Sequence, residues 1–248
     1  MRQVGQLAIL FSNKLMNYYN SDHSGEGDWE DRGEMAWREA DWSQYLANCS
    51  KDVGQFLSFY EKSNRGPGHL DEIAKLMGWE VSDWSANDGV EGIPDLSGSD
   101  DFPEAEEEFE AADPYTIHKH PVFIVSQGLF LWLKKTFEQF LDHPASSKVS
   151  TSTAWKYANT LQDADYHALM GTQALDMADY SLAICHFKRA LNGINETFKI
   201  LEVVFDDQPD AEYRSEINVR LFDLRELYLR IIGECRYFES MDLQDPPF

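Results

Sequence analysis

From Val122 to Leu141 the chain is apolar on nearly every side. Val122, Phe123, Ile124, Val125, Leu129, Phe130, Leu131, Trp132, Leu133, Phe137, Phe140 and Leu141 all fall in this one stretch. No single helix face holds them all, so a helix built from them has to be surrounded by other elements rather than laid on a surface. His143-Pro144 ends the stretch, and Ser146 to Ser152 reads as a loop.

The remaining apolar residues keep a three-four rhythm that suits helices packed around this one. Residues 3–19 form a first wide-faced segment with Val4, Leu7, Leu10, Phe11 and Leu15, and Asn20 to Gly33 is a polar loop. A second helix is predicted from Glu34 to about Ser63, with Trp37, Trp42, Leu46, Cys49, Phe56 and Tyr60 among its apolar positions. A short helix from Leu70 to Met77 stops at Gly78. Asp113-Pro114 is a good helix opening, and Pro121 either kinks that helix or restarts it. Three long helices are then predicted over Ala154–Met177, Tyr180–Phe205 (with Asp179 as its cap) and Ala211–Phe238. In the last, Ile217, Leu221, Leu224, Tyr228, Ile231 and Cys235 make an inward stripe, and Glu216 with Arg220, and Glu226 with Arg230, pair at four-residue spacing. No segment alternates as a strand would. The fold class is therefore all-α, a bundle of about six or seven helices with a long acidic irregular connection. It divides into N-terminal helices (1–78), the acidic connection (79–113) and a C-terminal bundle (114–248) that reads as one continuous domain with the first part.

The connection is where charge gathers. Between Lys75 and Lys119 there is no Lys or Arg, yet thirteen Asp and Glu, more than half of the net charge of -23. Gly89, Gly92, Pro94, Gly98 and Pro103 forbid a long helix, while Glu104 to Ala112 is compatible with a short one. Carboxylates this dense call for solvent, counterions or a cationic partner. Trp84, Ile93, Leu96, Phe102 and Phe109 are spaced as anchors. The candidate partner-binding residues are Asp100, Asp101, Phe102, Glu104, Glu106, Glu107, Glu108, Phe109 and Glu110. The plainer reading is a solubilising loop, in part folded back on Lys134, Lys135 or the arginines.

With Asp and Glu outnumbering Lys and Arg 44 to 21, direct binding to nucleic acid is not expected, because that affinity comes from neutralising phosphates. No run of about eighteen apolar residues predicts a membrane span, and the N-terminal apolar run is too short for a signal peptide. Three widely spaced cysteines, Cys49, Cys185 and Cys235, make no metal-binding or redox motif; the latter two read as core thiols, and a reducing cytoplasm fits.

Gly171, Tyr180, Ala183, Phe187 and Ala190 fall where a tetratricopeptide unit places its small and aromatic packing residues. The segment 168–191 thus resembles one such helical hairpin, which implies close approach of two helices at Gly171 and Ala183. The family's early Trp is replaced by His167 and its closing Pro by Asn195, and a shift of the family's period finds no second copy.

Catalytic patterns are sparse. His118 and His120 lack a recognisable third ligand, so neither a metal nor any other cofactor is expected. No Glu-x-x-His occurs, which removes the di-iron bundle class. His167 and His186 lie on the two arms of the hairpin, with Asp163 and Asp165 near, and offer a proton-transfer site if they face each other. Trp29, Trp37 and Trp42 interleaved with acids suggest either a quaternary-ammonium cage or core rings backed by exposed carboxylates. The function expected is a non-enzymatic adaptor or regulatory protein that binds a basic protein through its acidic segment. The alternatives are a nucleic-acid mimic that blocks a DNA- or RNA-binding protein, and an enzyme with a pocket around His167 and His186.

Overall fold

The computed structural model describes residues 37–63, 66, 68–80, 116–142, 149–205 and 211–242. Among these the chain is all-α, with six helices and no strand. They are α1 (Glu39–Lys62), α2 (His69–Met77), α3 (Pro121–Asp142), α4 (Thr151–Asp176), α5 (Tyr180–Val204) and α6 (Ala211–Asp242), with a single 3-10 turn at Ile117–Lys119 before α3. The expected helix over 3–19 and the possible one over 104–112 lie outside the described residues.

α3 occupies the middle. It touches α1, α4 and α6, and Val122, Val125, Leu129, Phe130, Leu133 and Phe140 on it are fully buried. One continuous core runs from Phe56 and Tyr60 on α1, through α3 and the α4–α5 hairpin, to Ile231 and Cys235 on α6. Glycines set the closest approaches. A Cβ on Gly128 would lie 2.8 Å from the Phe56 ring of α1, and one on Gly193 of α5 would lie 2.8 Å from the Ala164 Cβ of α4. A Cβ on Gly171 would lie 3.0 Å from Phe187, so the small-against-aromatic packing expected of the hairpin is present.

Local chemistry sets most boundaries. Arg38 donates its backbone N–H to Asp41 at 2.9 Å, which fixes the start of α1 at Glu39 rather than Glu34. Gly78 takes the left-handed conformation (φ 77°) that closes α2. Asp179 accepts from the Leu182 N–H at 3.0 Å as the cap of α5, and Ser150 caps α4 from outside it. Pro121 restarts the chain rather than kinking a longer helix. Thr116 and His120 are both extended, and only one 3-10 turn lies between them. Cys235 and Cys49 are buried, but Cys185 is exposed, because it sits off the inward face defined by Ala183, Ile184 and Phe187.

Candidate functional site

The nine candidate partner-binding residues, Asp100 to Glu110, lie outside the described residues. The structure shows how their segment is held at its two ends. On leaving α2, Trp79 donates its N–H to the Ala74 carbonyl at 2.9 Å and stacks on Phe56 of α1, with centroids 6.5 Å apart and planes 18° from parallel. On returning, the Thr116 hydroxyl meets the Tyr45 hydroxyl of α1 at 2.8 Å. The Lys119 ammonium stands 5.3 Å from the centroid of the same tyrosine ring. Tyr45 and Phe56 are buried on one face of α1. Eleven residues at the helical rise put them about 16 Å apart. The connection therefore leaves at Trp79 and returns at Thr116 against the same helix, and all thirteen carboxylates lie between these two residues in the sequence.

Beside this frame lies a polar seam that sequence reading missed. Arg220 of α6 is fully buried, with its guanidinium over the Trp132 ring of α3 (3.4 Å to the centroid) and 5.0 Å from the Tyr60 ring of α1. It pairs with Glu216 at 2.7 Å, as the four-residue spacing predicted, and also with Glu61 across on α1. One turn on, Asp223 accepts from the Tyr60 hydroxyl and lies 3.4 Å from His69 Nδ1. Arg230 reaches Asp71 of α2 at 2.9 Å. A signal was present: Arg220 falls at i+3 from Ile217 and i−4 from Leu224, on the inward stripe itself.

The histidines separate into distinct roles. His120 is the cap of α3, where its Nδ1 accepts the Val122 N–H at 3.1 Å. Burial depresses its pKa to about 4, against a smaller opposing pull from Asp176. His118 is bound to Thr116 and packs on Phe123, so the two do not converge on a metal. His167 and His186 do face each other, with Nδ1 atoms 3.1 Å apart. Both sit below the usual imidazole range. For His167 the causes are burial, then His186 and Arg189, with Asp163 opposing; for His186 they are burial and Arg189. Asp165 takes no part, because Lys134 holds it at 2.6 Å. Its carboxyl is nevertheless raised, since burial outweighs the lysine. Lys134 is thereby occupied, and Lys135 is exposed.

The expected ring cage is closed in its described part. Trp37 and Trp42 are tilted 54° to each other with centroids 5.0 Å apart, and both meet Tyr45 edge to face at 5.5 and 5.9 Å, so the three rings contact one another directly rather than standing around an ammonium group. Among the described residues, no three His, Cys, Asp or Glu side chains gather as a metal site, and no helix is long and apolar enough to cross a membrane.

No family model, curated protein or solved structure matches the chain.

Proposed function

We propose that the chain is a non-enzymatic adaptor or regulatory protein whose acidic connection binds a basic surface of a partner protein. The observation that carries this reading is the coincidence of charge and anchorage. A run of carboxylates free of Lys and Arg is tied at both ends to α1, at Trp79 and Thr116. Charge this dense along one stretch of sequence speeds encounter with a complementary surface and makes it salt-sensitive. Phe102 and Phe109 supply apolar anchors within the strip. A reducing cytoplasm accords with the free cysteines Cys49, Cys185 and Cys235.

The test compares the intact chain with a version in which Glu104, Glu106, Glu107, Glu108 and Glu110 are changed to Gln. Each is used to capture partners from lysate at low and high salt. Retention of a basic protein by the intact chain alone, lost at high salt, supports the reading. Identical partners for both versions defeat it. Competition by short duplex DNA would instead favour the nucleic-acid mimic.

The facing imidazoles of His167 and His186 favour a second reading, an enzyme with its site on the α4–α5 hairpin. A pH–rate profile on candidate hydrolytic substrates, abolished by His186→Gln, would support it.

A further inference from the structure

His167 comes from α4 and His186 from α5, and both rings are half-exposed. Two neutral imidazoles with Nδ1 atoms 3.1 Å apart satisfy each other in one of two ways. One nitrogen keeps its proton and donates to the other, or both lone pairs point at a shared cation. A late first-row cation sits about 2.0–2.1 Å from an imidazole nitrogen. The observed separation then corresponds to a nitrogen–metal–nitrogen angle of about 100°, between the square-planar and tetrahedral values.

We propose that His167 and His186 form a two-imidazole site for a divalent late first-row transition cation, with Cu(II) held most tightly and Zn(II) less so. The bite is fixed by the helices, not by the side chains alone. Gly171 against Phe187, and Gly193 against Ala164, lock α4 and α5 together around the pair. Burial lowers the basicity of both rings, which lessens the competition of protons with a cation. No third His, Cys, Asp or Glu joins them among the described residues, so water fills the other positions. Asp163 favours the added charge on His167 and Arg189 opposes it. Imidazole ligands and the usual order of divalent affinities select copper, nickel and zinc over calcium and magnesium. The inference is independent of the acidic segment, whose oxygen ligands suit the hard cations.

The test uses the full chain with Cys185→Ser, which removes an exposed thiol from competition, in excess Mg(II) to occupy carboxylates. Cu(II) is titrated by calorimetry and by electron paramagnetic resonance, with Zn(II) as a redox-silent check. The expected result is coupling to two nitrogens and a rise in Tm on loading. Affinity should drop at least tenfold in His167→Asn and in His186→Asn, and stay unchanged in His118→Asn. Equal Cu(II) affinity in the parent and the double variant overturns the proposal, as does a spectrum of oxygen ligands alone. Should a variant unfold, imidazole nitrogen shifts in the unmutated protein decide. Zn(II) should move two of the seven histidines at Nδ1, and movement of any other pair refutes the site.

Discussion

Arg220 lies on Trp132 with its guanidinium carbon 3.4 Å from the ring centroid, and no part of the side chain meets water. Glu61 and Glu216 accept from its terminal nitrogens, while Nε finds no acceptor among the described residues. A buried charge is tolerable here because the carboxylates neutralise it and the ring faces attract it. Arg220→Ala should cost about 3–5 kcal/mol in urea unfolding. Arg220→Met should cost clearly less, because it refills the space and leaves Glu61 and Glu216 with access to solvent. Equal losses in the two variants would show that the lost charge pairing, not the lost packing, dominates.

His120 makes stability depend on pH in a defined direction. Its folded pKa of about 4 lies below the ordinary value of 6.5, so between these pH values the unfolded chain binds the extra proton. The contribution is complete above pH 6.5 and is lost as pH falls towards 4, by about 3 kcal/mol in all. His120→Asn keeps an acceptor for the Val122 N–H but cannot titrate. The variant should therefore show a shallower loss of Tm over that window than the parent, and parallel curves would refute the assignment.

Two helical glycines should respond oppositely to alanine. At Gly193 the new methyl meets the Ala164 Cβ and backbone, neither of which can rotate away. Gly193→Ala should destabilise by about 1–3 kcal/mol. At Gly233 on α6 nothing lies within 4 Å, so Gly233→Ala should stabilise by about 0.5–1 kcal/mol through helix propensity alone. Thermal unfolding of the two single variants separates these signs.

Ala178 holds a position that suits glycine. Its φ is 55°, and the Ala178 and Asp179 N–H groups return to Leu175 and Ala174, closing α4. Ala178→Gly should stabilise by roughly 0.5–1 kcal/mol, measured by denaturant midpoint.

Features set by near neighbours along the chain are legible in the sequence alone. Gly78 stops α2, Asp179 caps α5, and the apolar breadth of α3 puts it in the centre, because each depends on residues within a turn or two. Arg220 is not legible as a buried group, since its surroundings come from Glu61 and Trp132, far away in the chain. At Pro121 the sequence leaves a kink and a restart both open, and the structure shows the restart, with one 3-10 turn between Thr116 and α3. Periodicity places His167 and His186 on adjoining arms, but only the crossing of α4 and α5 fixes their 3.1 Å approach. The acidic candidates Asp100 to Glu110 rest on charge and anchor spacing alone, and they lie outside the described residues.

The seating of Trp79 and Thr116 on α1 gives the molecule two ways of staying whole. Its first two helices are joined to the rest by a covalent path, and also by Phe56 against Gly128, by Arg220 with Glu61, and by Arg230 with Asp71. A chain severed once within residues 81–115 should run through gel filtration as a single species and separate into two peptides only in denaturant. Expressed as two pieces, it should reassemble by fragment complementation, which makes the acidic connection a natural place to split the protein into a reporter pair.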